Sequence, residues 1–157
     1  MANIVHATQA TQVAAVRALF AEYARAVAAP CCFVGLEREL ATLPGEYAPP
    51  AGRLFLALDA SGRAGCAGCV ALRPLDADTA EMKRLYVRPA YRGLGLGRAL
   101  AAAAIAAARQ TGRSRVVLDT LPSMDAAIAL YRALDFKEVA PYLAAPTPGA
   151  VCYQLRL

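Results

Sequence analysis

Glu81-Met-Lys-Arg-Leu-Tyr-Val87, Arg88-Pro-Ala-Tyr91 and Arg92-Gly-Leu-Gly-Leu-Gly97 run on from one another, and reading them decides the fold. An apolar strand enters a short arginine-rich connector, and three alternate glycines then open a long alanine-rich helix. Glycines so spaced let the backbone curl until several N–H groups point at one spot. The first helical turn adds its own unpaired donors and the positive end of its dipole. Such a concavity holds phosphate oxygens. The stretch therefore predicts an anion site for a phosphorylated cofactor.

Working outward, 157 residues suffice for one domain with a single core and no staples. Hydrophobic residues make up 58% of the chain, much of it alanine, which favours helix and close packing. The most apolar run, Ala99 to Ala108, falls short of the roughly 18 residues a bilayer span needs. The first residues carry no basic stretch followed by an apolar one, so no signal peptide is expected. A cytoplasmic protein that does not engage a membrane follows. The net charge of +5 suits an anionic ligand. The arginines are scattered, and no RNA-binding aromatic signature accompanies them, so nucleic-acid binding is not expected.

The five cysteines (Cys31, Cys32, Cys66, Cys69 and Cys152) sit among apolar residues and read as buried reduced thiols. Cys66-Ala-Gly-Cys69 matches a metal spacing, yet three residues along a regular strand lie on opposite faces, so no metal site is expected. His6, the single histidine, beside an early strand, reads as structural.

Pattern and punctuation predict strands at Ile4–Ala7, Arg53–Leu58, Gly65–Leu72, Thr79–Val87, Arg115–Asp119, Phe136–Ala140 and Ala150–Leu157. Helices are expected over Thr11–Val27 with a threonine cap, Leu36–Leu43, Gly95–Gln110 with Gly112 as stop, and Met124–Leu134 capped by Ser123. Asp59-Ala-Ser-Gly62 reads as a hairpin turn, and Pro44 to Gly52 as irregular. The fold class is thus α+β in three layers: a mixed, mostly antiparallel sheet of seven strands with one β-α-β crossover. The apolar final strand is a candidate surface for a homodimer.

Two phosphate-binding rivals fall away. A dinucleotide fingerprint counted from Gly93 needs a third glycine where Arg98 stands, and it tolerates no connector such as Arg88 to Tyr91. A Walker loop needs a closing Gly-Lys-Ser/Thr, which is missing. Arg92-x-x-Gly95-x-Gly97 after an apolar strand instead resembles the acyl-CoA-binding signature of GNAT N-acetyltransferases. Ala127-Ile-Ala-Leu-Tyr-Arg-Ala-Leu-Asp-Phe136 is similar to that family's second signature, and the element order matches over essentially the whole chain. Asp135 stands where the family prefers glycine, and Met124 where many members carry asparagine.

The resemblance implies acetyl-CoA as donor and an amine as acceptor. The backbone of Leu85, Tyr86 and Val87 would pair with the pantetheine arm, and the amides of Arg92, Gly93, Leu94, Gly95, Leu96, Gly97 and Arg98 would cradle the pyrophosphate. Tyr131 would be the general acid, and Glu81 the base or the holder of a basic water. In a regular strand Glu81 shares a face with Lys83, Leu85 and Val87 unless a bulge intervenes. Glu46, Tyr47 and Tyr142, on or beside the two proline-rich loops, are the acceptor-binding candidates. A catalytically silent CoA-binding module on the same fold is the alternative.

Overall fold

A computed structural model describes residues 3–60 and 65–157. Seven strands, β1 (Asn3–His6), β2 (Arg53–Leu58), β3 (Cys66–Pro74), β4 (Thr79–Val87), β5 (Arg115–Thr120), β6 (Lys137–Val139) and β7 (Val151–Arg156), form one sheet in the order β1-β2-β3-β4-β5-β7-β6. The helices are α1 (Ala10–Val27), α2 (Leu36–Thr42), α3 (Leu96–Gln110) and α4 (Asp125–Ala133). Every neighbouring pair is antiparallel except β4 and β5, which α3 connects. Ser61 and Gly62 of the predicted hairpin turn after β2 lie outside the described residues.

The sheet separates two cores. On one face Leu100, Ala101, Ala104 and Ala108 of α3 pack with Val70, Leu72, Val116, Leu118 and Phe136. On the other, Val16, Leu19 and Phe20 of α1 pack with Leu54, Leu56, Cys69 and Tyr47. The alanine stripe lets α3 lie close against the strands, as the composition implied.

Three sequence expectations need local correction. Helix α1 starts at Ala10, with Gln9 as its cap residue instead of a threonine, because Gln12 Oε1 reaches back to accept from the amides of Thr8 and Gln9 at 3.0 Å. Met124 rather than Ser123 caps α4, with no side-chain hydrogen bond. Pro44 to Gly52 contains one 3-10 turn at Gly45–Tyr47. The final strand β7 is hydrogen-bonded on both edges, to β5 and β6, so the sheet's free edges are β1 and β6.

Two β-bulges overturn arguments from strict alternation. Ala57 pairs with Gly68 but Leu58 with Cys66, so Ala67 is extra in β3. Cys66 and Cys69 consequently pack on the same core, the α1 side, rather than on opposite faces. All five cysteines are free, and Cys31 is exposed rather than buried. In β4, Cys69 pairs with Tyr86 but Ala71 with Lys83, and Arg84 adopts φ 59°. Ala80 and Met82 before this bulge, and Leu85 and Val87 after it, face α3. Glu81 therefore shares no face with Leu85 and Val87, contrary to the regular-strand expectation. The bulge inverts the alternation between them.

Gly68, opposite Val87, sits where a Cβ would stand 2.5 Å from the Tyr86 carbonyl oxygen. Backbone cannot retreat from that contact without distorting the ladder beside the bulge. We expect Gly68→Ala to cost about 2 kcal/mol, seen as a thermal midpoint lowered by roughly 4–8 °C. An unchanged midpoint would mean that β3 and β4 part more easily than this packing allows.

Candidate active site

Strands β4 and β5 pair over only three positions, Thr79–Arg115, Ala80–Val116 and Glu81–Val117. Beyond them β5 stays with β7 while β4 bends away at its bulge, so the sheet opens as a wedge. The β5-facing edge of β4 from Met82 to Val87 is left without a ladder partner. Such an edge accepts an extended ligand as though it were another strand.

The bulge is held from outside the sheet. A positive φ at a non-glycine residue costs about 1–3 kcal/mol and persists only when its surroundings impose it. The Arg84 guanidinium donates to both Glu39 oxygens at 3.0 and 3.3 Å and to the Cys32 carbonyl at 3.2 Å. It also lies 4.8 Å from the Phe33 ring centre. Helix α2 and the residues before it thus clamp the point where β4 turns aside.

The cleft in the wedge is lined by Met82 to Leu85 of β4, Asp119 and Thr120 of β5, Leu121, Met124 and Tyr131 around α4, and Tyr23, Val27, Cys32 and Phe33 from α1 and the residues after it. Thr147, in the second proline-rich loop (Pro141 to Gly149, between β6 and β7), and Ala150 just after it close the cleft. Burial, above all, pushes the Tyr131 phenol above its ordinary pKa, so it stays protonated through the neutral range. Tyr23 stacks on Tyr86 with ring centres 5.3 Å apart, and burial raises its phenol to about 12.

Glu81 is placed differently from Tyr131. Its side chain has no exposed surface; Oε1 accepts from Arg73 Nε at 2.7 Å and Oε2 from the Tyr142 hydroxyl at 2.5 Å. Lys83 Nζ lies 3.9 Å away. Arg73 in turn donates to Glu46 Oε2 at 2.7 Å. Three residues singled out from sequence, Glu46, Glu81 and Tyr142, are thereby joined through Arg73, which was not. Tyr47 stands apart: it is buried in the α1-side core, its hydroxyl donating to Glu39 at 2.8 Å and its ring edge-on to Phe20. The first proline-rich loop does not line the cleft; Cys32 and Phe33 take that place.

Beyond the open end of the wedge, after the C-terminal end of β4, lies the glycine loop. Gly93 and Gly95 adopt φ 77° and 78°, and a Cβ on either would meet nothing within 4 Å, so open space stands before them. The first bond of α3 runs from Ala99 N–H to Gly95 O. The amides of Leu96, Gly97 and Arg98 precede it and are left to an outside acceptor. Leu96 is buried, whereas Leu94 is 68% exposed. Arg92 and Arg98 are exposed and make no ion pair among the described residues, while Arg88 is bound to Glu22. Arg92 Nε donates to the Val87 carbonyl at 3.1 Å, tying loop to strand. The concavity is open and carries the positive charge of Arg92 and Arg98.

The acetyltransferase (GNAT) family model matches residues 14–136. The chain belongs to the GNAT family. It is 39% identical over 140 residues, 88% of its length and 85% of the relative's, to an uncharacterised N-acetyltransferase of Schizosaccharomyces pombe. An acetyltransferase structure from Streptococcus agalactiae superposes with a TM-score of 0.83 at 22% identity, covering 99% of this chain and 98% of that one. A GNAT acetyltransferase from Elizabethkingia anophelis, with acetyl-CoA bound, gives a TM-score of 0.56 at 20% identity over 68% of this chain and 77% of its own. The seven-strand α+β architecture is that of the GNAT fold, and the enzyme class is N-acetyltransferase.

Within this GNAT domain, Asp135 does adopt the left-handed conformation, φ 67°, that the family's glycine would take. Asp119 also lines the cleft, at the end of β5, where sequence alone gives an acid no role in acetyl transfer. No helix among the described residues is long and apolar enough to cross a membrane.

The buried Glu81 pair yields a stability test. Arg73→Ala strands a fully buried carboxylate and should cost about 3 kcal/mol or more in urea unfolding. Tyr142→Phe removes one hydrogen bond to that carboxylate and should cost about 1 kcal/mol. Equal losses would show that Arg73 is not what neutralises Glu81.

Proposed function

We propose that the chain transfers an acetyl group from acetyl-CoA to a primary amine of a small molecule or peptide, by direct attack within a ternary complex. The observation that carries this reading is the unpaired edge of β4 from Met82 to Val87 leading straight into the glycine loop. One continuous surface then offers backbone partners to a pantetheine arm at Leu85, Tyr86 and Val87. Where that surface ends, the amides from Gly93 to Arg98 would cradle a pyrophosphate, the Arg92 amide being held by the Pro89 carbonyl at 3.3 Å. The acetyl-CoA bound to the Elizabethkingia relative supports the choice of donor.

Tyr131 opens into the same cleft and is assigned as the acid that protonates the leaving thiolate. Direct attack is favoured over an acyl-cysteine because Cys32, the thiol lining the cleft, is pushed up to about 11 by burial and by its neighbour Cys31. A thiol so protonated is a poor nucleophile near neutrality. Glu81, buried and with Arg73 and Tyr142 on its two oxygens, anchors that tyrosine in the arrangement described. Of the acceptor-side candidates, Tyr142 and Glu46 are tied into the Arg73–Glu81 pair beside the cleft rather than lining it, and the loop around Thr147 closes the cleft. Five free thiols suit a reducing, cytoplasmic setting.

Thiol release from acetyl-CoA in the presence of a panel of primary amines tests the reading. Tyr131→Phe should lower kcat by about a hundredfold, with the acetyl-CoA KM changed by no more than about twofold. The raised phenol means that loss of the Tyr131 proton should not limit kcat up to about pH 10. Acetyl-CoA binding without thiol release from any amine would instead support the catalytically silent module.

A further inference from the structure

We propose that Asp119, not Glu81, is the carboxylate that receives the acceptor, holding its ammonium group against the thioester and taking its first proton. The inference rests on the acetyl-transfer reading above and names the residue on the acceptor side of that site.

The two carboxylates lie on the same face of the sheet, since Glu81 pairs with Val117 and Asp119 follows two residues later on β5. They differ in what already occupies them. Glu81 is fully buried, with Arg73 on one oxygen and Tyr142 on the other. Asp119 lines the cleft, is only half-buried, and makes neither an ion pair nor a side-chain hydrogen bond among the described residues. The charged neighbours on the facing wall are spoken for: Arg84 by Glu39, and Lys83 by its approach to Glu81. The negative charge of Asp119 reaches Tyr131, Tyr23 and Cys32, where, after burial, it helps keep each protonated. A carboxylate left uncompensated in a partly enclosed cleft lacks a cation, and an acceptor amine arrives as an ammonium ion near pH 7.

The proton balance closes with these two residues. R–NH3+ passes one proton to the Asp119 carboxylate, which returns it to solvent. The freed nitrogen lone pair forms the C–N bond to the thioester carbon as the carbonyl oxygen takes the negative charge. Collapse breaks the C–S bond, the CoA sulfur takes the Tyr131 proton, and the second proton leaving nitrogen restores Tyr131. The products are the amide, CoA thiol and one proton.

The test compares acceptors of matched shape and different charge. Benzylamine and tyramine are cationic at neutral pH, whereas aniline is not. In Asp119→Asn the ratio of kcat/KM for cationic over neutral amines should fall about tenfold or more, with the acetyl-CoA KM held within about twofold. Asp119→Glu, which keeps the charge, should restore part of the ratio. Benzylammonium and its neutral isostere benzyl alcohol, titrated as inhibitors, give a readout independent of turnover; wild type should prefer the cation and Asp119→Asn should not. Turnover retained with an unchanged ratio in Asp119→Asn would overturn this assignment alone. A wild-type chain that binds acetyl-CoA and acetylates no amine would overturn the transfer reading, and this assignment with it.

Discussion

A single extra residue in β4 sets the terms for the rest of the molecule. Where Arg84 turns to positive φ, the strand stops following β5 and the sheet parts into a wedge. Three parallel pairs hold the wedge closed at one end, and their loss at the other leaves a stretch of the β4 backbone edge open. The clamp on Arg84 by Glu39, the Cys32 carbonyl and Phe33 connects that distortion to α2 and its approach segment. The elements that stabilise the bulge thus also line the cleft, so packing and the shape of the opening share residues.

The bulge further decides which carboxylate does what. By inverting the alternation of β4 it leaves Glu81 on the face away from Leu85 and Val87, where burial obliges it to take Arg73 and Tyr142 as partners. On the neighbouring strand, which runs without a bulge, Asp119 emerges into the opening with no side-chain partner among the described residues. Two acids two register positions apart therefore acquire different roles from surroundings alone: one fixes the second proline-rich loop, the other faces the cleft.

The order of elements and the backbone form of the glycine loop were legible in sequence because their signals are local. Glycine spacing reports positive φ directly, and Gly93, Gly95 and Gly112 all adopt it. The alanine stripe of α3 and the apolar run of β5 were equally plain. What stayed hidden depends on pairing partners that no local pattern records. A bulge is invisible until two strands are registered, which is why Cys66 and Cys69 were placed on opposite faces and Glu81 beside Leu85. Tyr47 looked like a loop residue but completes a core made by α1 and α2. Arg73 and Asp119 carry no motif; their importance comes from what stands across the sheet from them.

Hydrogen exchange of the backbone amides with and without acetyl-CoA addresses the central claim most directly. If the parted edge of β4 and the glycine loop form one donor site, added acetyl-CoA should slow exchange at residues 82–87 and 92–98, leaving β1 and β6 unaffected. Protection absent from both stretches, or appearing only at other surfaces, would contradict the account.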